Sequence, residues 1–461
     1  MILSASNSSR RKPSARNQGS ILIIVLWVAF GLVSLALYFG HSMLFEYRAA
    51  DNAVAQVEAE KTIESASRYL AYTLTNLVGT GYALPGVLPS IEDYEYENVA
   101  VGQGAFWLIG RSYDNPDIQA DEPVFGLIDE ASKLNLNKVT LAMLELLPNM
   151  TPELAAAIID WRDADSDVST NGAEAEAYLR LPEPYLPKDG PFETVEELRL
   201  VYGMTPELLY GEDLNRNGVL DENENDGDGS PPFDDGNGIL NPGFLEYFTV
   251  YSREVNLRTN GEPRINVNAA VTTNLTQLLQ DRFGDGATDI QAQFTMAGTN
   301  NTSLLQFFAN SGMTIDNFAL IEGDLTVTNA PFVEGLVNVN TASAEVLACL
   351  PGLDADLARS IVEVRRDRFT TDLPTVGWLI NVLDAATIQT VGPYLTSRSY
   401  QFTADIAAVG HFGRGYRRTL TVIDTTEERA KVIFRRDLSG LGWALGAAVR
   451  EQLDTMDVAS R

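Results

Sequence analysis

The pattern of apolar and polar positions opens with residues 20–40, SILIIVLWVAFGLVSLALYFG, which contain no charged residue. At ~1.5 Å per residue this segment would form a helix of about 31 Å, which is long enough to cross one bilayer. Arg10, Arg11, Lys12 and Arg16 precede it, and residues 1–19 contain no acidic residue. The positive-inside rule therefore predicts a cytoplasmic amino terminus and an exported remainder. A plain signal anchor and a cleavable secretory signal are the alternative interpretations.

The helical pattern continues beyond the membrane segment. The apolar residues Ile63, Ala66, Leu70, Leu74 and Leu77 recur at spacings of three and four, which places them on one face of a helix. Gly79 is a natural helix stop. The sequence thus predicts one long helix from Ser20 to Val78, with its second half packed on a folded domain.

The rest of the chain changes from strand patterns to helical patterns and back. AFWLIG and VFGLID predict short strands before residue 130, and SYQFTADIAAVG, RRTLTVIDT and AKVIFRR predict strands after residue 398. GHFGRG and TEER would join the last three as hairpin loops. Between the two groups, Thr151-Pro152 and Thr205-Pro206 predict helix starts. A helical insertion between two parts of one sheet explains this order.

An internal repeat lies within the helical part. Residues 134–162 align without gaps to residues 337–365, and INVNAA at 265–270 is a partial third copy of the beginning. Each full copy reads as a short strand, an asparagine, a helix, a tight turn and a second helix. Asn149 and Gly352 lie at the turn position that tolerates a positive φ.

Composition narrows the possible classes of function. A chain of 461 residues with 45% hydrophobic residues can form two or three folded domains. Its net charge of −30 disfavours nucleic acids and anionic lipid surfaces as partners, and suits cation binding. Cys349, the single cysteine, lies in an apolar stretch and is predicted to be a buried hydrophobic residue. The two histidines, His41 and His411, have no convincing Ser or Cys partner, so we predict that the chain is not an enzyme.

The segment DLNRNGVLDENE, residues 213–224, matches the twelve-residue calcium loop D-x-[DN]-x-[DN]-G-x5-E. Oxygen ligands at positions 1, 3, 5, 7, 9 and 12 can surround one hard cation, and Gly218 permits the sharp bend. The predicted ligands are Asp213, Asn215, Asn217, the Val219 carbonyl, Asp221 and Glu224.

The alternative is a solvated acidic loop. Nine acidic residues and one basic residue lie between Glu212 and Asp235, and this crowding is unfavourable without a cation or solvent screening. The residues after Glu224 cannot form the exit helix of a paired EF-hand. A second cation site, or else a set of solvated turns, is predicted for Asp226, Asp228, Asp234, Asp235 and Asn237.

The leader ends in Gly19, directly against the apolar segment. This arrangement resembles the type IV prepilin class, in which the leader is cut after that glycine. Cleavage would fall between Gly19 and Ser20. Most of that class has glutamate at the fifth mature position, whereas this chain has Ile24. In this departure the chain resembles the minor pseudopilin K family of type II secretion systems.

The repeated hairpins with LPNM and LPGL turns also resemble the helix-hairpin-helix module, which in many proteins binds DNA. Glu153, Asp354 and Asp356 surround the two turns and would repel phosphate, so we interpret the hairpins as structural. One remaining alternative is a membrane-anchored DNA receptor or minor pilin of a type IV pilus or competence system. Another is an exported calcium-dependent enzyme. The enzyme would require a catalytic constellation that the sequence does not reveal.

The pseudopilin resemblance implies an α+β, pilin-like fold: a long amino-terminal helix and an antiparallel sheet with a large inserted helical domain. It implies a structural role at the tip of the periplasmic pseudopilus. The implied partners are minor pseudopilins I and J, the major pseudopilin filament, prepilin peptidase and the inner membrane. The predicted organisation is a leader (1–19), a membrane-spanning segment (20–40), the pilin-like helix and first strands (41–130), an inserted helical domain (131–393) with its calcium loop (212–237), and carboxy-terminal strands and tail (394–461).

Overall fold

The computed structural model describes residues 19–79, 89–90, 92–111, 122–368 and 375–459. The predicted leader therefore lies outside the described residues, apart from the backbone of Gly19. The chain divides into two compact units, residues 1–55 and residues 56–461. Helix α1 spans Gly19–Gly79, one residue longer at each end than the sequence predicts.

The amino-terminal part of α1 is apolar and exposed. Within the described residues, one helical stretch is long and apolar enough to cross a membrane, and it begins at Ile21. Its large side chains, such as Trp27 (76% exposed) and Phe30 (63% exposed), contact little protein. Such exposure is unfavourable in water and suits a lipid environment, which supports the predicted single-pass anchor.

Helices and strands alternate irregularly along the rest of the chain. The helices are α2 (Leu141–Leu144), α3 (Pro152–Arg162), α4 (Ala175–Tyr178), α5 (Pro206–Tyr210), α6 (Phe244–Tyr247), α7 (Thr273–Phe283), α8 (Ala287–Ala297), α9 (Leu304–Ser311), α10 (Ile315–Ala319), α11 (Ala344–Ala348), α12 (Ala355–Arg368), α13 (Ala385–Val391) and α14 (Gly446–Ala459). The strands are β1 (Val99–Val101), β2 (Gly104–Ile109), β3 (Ile128–Asp129), β4 (Leu134–Asn135), β5 (Phe248–Thr249), β6 (Arg253–Val255), β7 (Ile265–Asn266), β8 (Leu325–Thr326), β9 (Phe332–Glu334), β10 (Val337–Asn338), β11 (Leu395–Thr396), β12 (Gln401–Val409), β13 (Arg417–Asp424) and β14 (Lys431–Asp437).

One antiparallel sheet has the strand order β1-β2-β12-β13-β14, and β3 also pairs with β12. The predicted stripe on α1, including Ile63 and Leu70, packs on one face of this sheet against Phe402 and Ile406. The predicted strands and both hairpins of the carboxy-terminal part are thereby confirmed.

The other face of the sheet is partly covered by α14, which the sequence analysis treated as a tail after the last strand. Leu453 on α14 packs with Trp107 and Val409, whose side chains alternate with those facing α1. Since both faces of β12 are covered, every residue of that strand is buried.

The inserted part consists of three consecutive modules that share one closing device. Each module begins with a strand ending in asparagine, and this strand pairs in parallel with a second strand that ends the module. The pairs are β4 with β5, β7 with β8 and β10 with β11. Parallel pairing requires a long crossover connection, and here the helices of each module supply it. The partial repeat at 265–270 is thus the start of a complete structural copy.

Equivalent hydrogen bonds hold each module closed. In the third module, the Asn338 Oδ1 accepts the Asn340 N–H at 3.0 Å, and the Val339 N–H donates to the Thr396 carbonyl at 2.9 Å. The first and second modules repeat both bonds with lengths of 2.9 Å, through Asn135 and Asn266. Asn149 and Gly352 have φ values of +62° and +87°, as the repeat predicts.

The predicted fold class is confirmed. A long amino-terminal helix lies on an antiparallel sheet, and a large, mostly helical part with repeated hairpins enters the chain between β3 and β12.

Candidate cation loop

The acidic segment that contains the predicted calcium loop leaves the first module between α5 and α6. Its two ends meet where the Glu212 N–H donates to the Asn241 carbonyl at 2.8 Å. Gly211 has a φ of +62°, and a Cβ there would lie 2.0 Å from the Asn241 carbonyl oxygen. Only glycine fits this crossing, which closes the segment into a loop.

The predicted ligand positions point inward. Asp213, Asn215 and Asn217 are buried, and Leu214 between them is 48% exposed. Gly218 has a φ of +78°, which gives the sharp bend that the motif requires at its sixth position. The alternation brings polar side chains from every second residue to the same side of the backbone.

Hydrogen bonds close this segment into a ring. The Asp213 carboxylate accepts the N–H groups of Asn217 at 3.0 Å and Gly218 at 2.9 Å. At the other end, the Glu224 carboxylate accepts the N–H groups of Leu214 at 2.9 Å and Asp221 at 3.1 Å. Position 12 of the motif is therefore folded back onto position 2.

The remaining polar side chains meet inside the ring. The Nδ2 groups of Asn215 and Asn217 donate to the Asp221 carboxylate at 2.5 Å and 3.3 Å. The Asn217 Oδ1 accepts the N–H of Val219, whose carbonyl is the predicted ligand at position 7. The structure thus brings together the five side chains that the sequence predicts as ligands.

The electrostatics of the ring favour a bound cation. Burial, together with the charges of Asp213 and Asp221, raises the pKa of Glu224 to about 7. Burial also raises the pKa of Asp213, while Arg111 opposes that shift. A divalent ion would stabilise the charged forms of both carboxylates.

The donor set fits a hard cation. All of the predicted ligand atoms are oxygens, which suits calcium better than a metal that prefers nitrogen or sulfur. Within the described ranges, no group of three or more His, Cys, Asp or Glu side chains is placed to hold a metal on its own. Coordination would therefore depend on the two asparagines and the Val219 carbonyl, as the motif requires.

The residues of the predicted second site behave as turn residues. The Asp226 carboxylate accepts the N–H and the hydroxyl of Ser230, at 2.9 Å and 2.7 Å. Asp234 accepts the N–H of Asp226, and Asp235 accepts the N–H of Asn237, both at 3.0 Å. Asp228 is exposed. These contacts are those expected of solvated turns, and a second cation site here remains a prediction.

A different acidic cluster was missed from the sequence. Glu174 and Asp160 are 4% and 0% exposed. Both carboxylate oxygens of Glu174, and one oxygen each of Asp160 and Asp163, are buried without a hydrogen-bond partner in the described part of the chain. Burial, followed by the charges of Asp189, Asp160 and Asp163, raises the pKa of Glu174 to about 6. The DWRDAD sequence at the end of α3 was a visible signal, but only the fold shows that Glu174 joins it.

Glu174→Gln is expected to flatten the dependence of stability on pH. The native state holds its proton up to about pH 6, whereas unfolded glutamate loses it near 4.5, so the wild-type chain loses stability as pH rises through this window. The variant should match or exceed the wild-type melting temperature at pH 7 in chelator. The measurement is thermal unfolding from pH 4.5 to 7.5, with the exposed Glu176→Gln as control. An equal pH slope in wild type and Glu174→Gln would contradict this expectation.

Comparisons with known proteins support the resemblance stated above. Residues 130–210 match the family model "Type II secretion system (T2SS), protein K", and residues 334–371 match the helix-hairpin-helix motif model. The chain is 43% identical over 56 residues to type II secretion system protein K of Pectobacterium carotovorum subsp. carotovorum. This match covers 12% of the chain and 17% of the relative, so it spans about a sixth of that protein.

The chain is similar to one in the GspK-GspI-GspJ complex from the type 2 secretion system of enterotoxigenic Escherichia coli, with 12% sequence identity and a TM-score of 0.42. That similarity covers 83% of this chain and 97% of the other. The cation loop begins at Asp213, beyond the end of the protein K match at residue 210.

Proposed function

We propose that this chain, which is related to protein K of type II secretion systems, is a minor pseudopilin at the tip of the periplasmic pseudopilus. The observation that carries the proposal is the protein K match at residues 130–210. This segment begins directly after β3, where the chain leaves the sheet, and contains the first hairpin of the helical part. The role is structural: the chain helps to assemble a filament that exports other proteins across the outer membrane.

The proposed topology follows from α1 and its leader. The basic leader stays in the cytoplasm, the segment from Ser20 to Gly40 crosses the inner membrane, and the remainder lies in the periplasm. Prepilin peptidase would cut between Gly19 and Ser20, and methylation of the new amino terminus would follow. Ile24 would suit the last subunit in the filament, because a glutamate there would lack a neighbouring amino terminus to neutralise it.

Helix α1 also offers a surface for neighbouring subunits. Val57 and Tyr72 lie on α1 away from the sheet, and they are 56% and 70% exposed. Large exposed apolar side chains on a helix are typical of a helix–helix interface. We assign this surface to minor pseudopilins I and J and to the major pseudopilin below them. The bulk of the three modules would cap the filament and prevent further growth.

The proposed cofactor is structural calcium in the ring formed by Asp213, Asn215, Asn217, Asp221 and Glu224. The second cation site predicted from Asp226 to Asn237 stays a proposal. The described residues provide little support for catalysis. Burial raises the pKa of the Cys349 thiol to about 12, and the His411 Nδ1 lies 2.6 Å from Glu58 on α1. We therefore interpret both side chains as structural.

The DNA-receptor alternative has one specific observation in its favour, the helix-hairpin-helix match at residues 334–371. In such a site a phosphate would approach the turn and the amino terminus of the second helix. Here the Asp354 carboxylate already accepts the Leu357 N–H at that end of α12, at 2.8 Å. This negative charge would repel a phosphate, so the hairpin supports a structural role.

Tyr72→Asp is expected to weaken co-purification with pseudopilins I and J at least tenfold, because a charge would enter the proposed interface. A tenfold loss corresponds to ~1.4 kcal/mol. The experiment uses the full-length chain co-expressed with both partners and extracted from membranes. Tyr202→Asp, on the helical part and 44% exposed, is the matched control and should co-purify normally.

Three results would contradict the proposal. The first is failure of the wild-type chain to co-purify with pseudopilins I and J. The second is mass spectrometry that finds an intact Met1 in place of a methylated Ser20. The third is salt-sensitive micromolar binding of DNA in a filter assay, which would favour the receptor.

A further inference from the structure

The cation loop is held by side chains of the sheet as well as by its own module. Arg418 on β13 is fully buried and forms an ion pair with Asp405 on β12, with an N···O distance of 2.5 Å. Its guanidinium also donates to two backbone carbonyls of the loop, those of Asn215 and, at 2.7 Å, Arg216. The loop therefore supplies the remaining hydrogen-bond acceptors of the buried Arg418.

A second guanidinium reaches the same part of the loop. Arg111, which follows β2, donates to the Arg216 carbonyl at 3.2 Å and forms an ion pair with Glu246 on α6 at 3.0 Å. Near α14, the Trp443 carbonyl accepts the Nδ2 of Asn215 at 3.0 Å. Three separate parts of the sheet region thus contact positions 3 and 4 of the motif.

The contacted segment also includes a strained backbone conformation. Arg216 has a φ of +55°, a left-handed conformation that is unfavourable for a residue with a side chain. Its carbonyl accepts hydrogen bonds from both guanidinium groups. These two bonds fix the backbone between the ligand residues Asn215 and Asn217.

Closure of the ring and the contact with the sheet are adjacent in the chain. The Leu214 N–H donates to Glu224, and the carbonyl of the next residue, Asn215, accepts from Arg418. An ion that draws Glu224 toward Asp213 would therefore orient the backbone that Arg418 contacts. Conversely, a buried Arg418 without these acceptors would leave N–H groups unsatisfied, which is unfavourable.

We propose that Arg418 and Arg111 are positioning residues that couple cation binding in the loop to docking of the first module on the sheet. The proposal rests on the calcium site described above. Calcium would then fasten the module to the sheet, and the sheet would in turn raise the affinity of the loop for calcium. This reciprocity follows from thermodynamic linkage.

The charge of the two arginines makes the test sharp. If they acted only through charge, removing either would raise calcium affinity, because a nearby positive charge repels the ion. The proposal predicts the opposite, since loss of the hydrogen bonds frees the loop backbone. Arg111→Met should raise the calcium Kd at least fivefold in isothermal titration calorimetry of the full-length chain in detergent.

Two further variants complete the design. Arg418→Met should have a larger effect, and Arg111→Met remains decisive if Arg418→Met does not fold. Arg436→Met is the control, since Arg436 on β14 pairs with Glu196 and makes no hydrogen bond to the loop in the described structure. Its Kd should match that of the wild type.

Hydrogen exchange provides a readout of docking itself. Calcium should slow amide exchange across residues 401–424 in the wild-type chain, and this protection should be lost in Glu224→Gln. A wild-type chain that binds calcium, with unchanged or tighter binding in Arg111→Met and calcium-independent exchange at 401–424, would overturn the coupling and leave the calcium site intact. A wild-type chain that does not bind calcium would overturn the site and the coupling together.

Discussion

Glu224→Gln is expected to abolish most of the stabilisation that calcium gives to this protein. Glu224 is the only predicted ligand that would contact the ion through two carboxylate oxygens, and its carboxylate also closes the ring onto Leu214. Glutamine removes the negative charge and one of the two oxygens. The buried Asp213 and the half-buried Asp221 would then share the ion with too few ligands.

The expected magnitude follows from mass action. At a hundredfold excess of free calcium over its Kd, binding stabilises the wild-type chain by ~2.7 kcal/mol. This should raise the melting temperature by several degrees relative to the same chain in chelator. The increase should be nearly absent in Glu224→Gln. Because burial raises the pKa of Glu224 to about 7, calcium must displace a proton below that pH, and its effect on the wild type should weaken as pH falls.

Glu222→Gln is the matched control, since it makes the same change of charge at an exposed position of the same loop. Differential scanning fluorimetry in calcium and in chelator measures all three chains. Equal calcium-dependent shifts in wild type and Glu224→Gln would show that the ring does not bind the ion. Equal losses in both variants would point to the net charge of the loop and not to coordination.

The parts of the fold that could be predicted from sequence are those with a regular pattern. The stripe from Ile63 to Leu74 predicts α1 because one face of a long helix has one partner, the sheet. The carboxy-terminal hairpins follow from short polar loops between apolar runs. The calcium motif could be located because its spacing is fixed by coordination geometry, and its carbonyl and side-chain positions need no tertiary information.

Other features depend on contacts that have no local pattern. The second module shares only its opening asparagine strand with the other two, so the rest of its sequence did not align. Helix α14 looked like a tail because Val449 and Leu453 alone are too few to predict an amphipathic face. Glu174 lies beyond a loop from Asp160, and its burial could not be inferred from spacing. Nor could the contact between Arg418 and the cation loop, since the two lie about two hundred residues apart.

The first asparagine of each repeat contributes differently to stability in different modules. Its Oδ1 has the same partner in all three, the N–H two residues later. Its Nδ2 differs. Asn338 donates to the Asp129 carboxylate at 3.0 Å and to Ser399 at 2.7 Å, inside the junction between the third module and β3. Asn266 donates to the exposed Asn329. The Oδ1 bond of this asparagine therefore closes each module, whereas its Nδ2 bond depends on what the module packs against.

Asn338→Asp should be among the most destabilising single-atom substitutions in this chain. It would place a second carboxylate against Asp129, which is 3% exposed and whose pKa burial raises to about 6. An uncompensated buried charge costs about 3–5 kcal/mol, and the donor from Asn338 would be lost as well. The Oδ1 bond to Asn340 is retained, so the effect would report on the junction and not on module closure.

Asn266→Asp is the control that the repeat provides, because the same substitution there meets an exposed amide that can turn to donate. Its cost should stay within about 0.5 kcal/mol. Two adjacent carboxyl groups share a proton, so the deficit of Asn338→Asp should be smaller at pH 5 than at pH 8, since protonation of one group relieves the repulsion. Thermal unfolding of both variants at the two pH values measures this difference. Equal effects at positions 338 and 266 would show that Asp129 does not depend on Asn338, and that the junction between the third module and the sheet is held by other contacts.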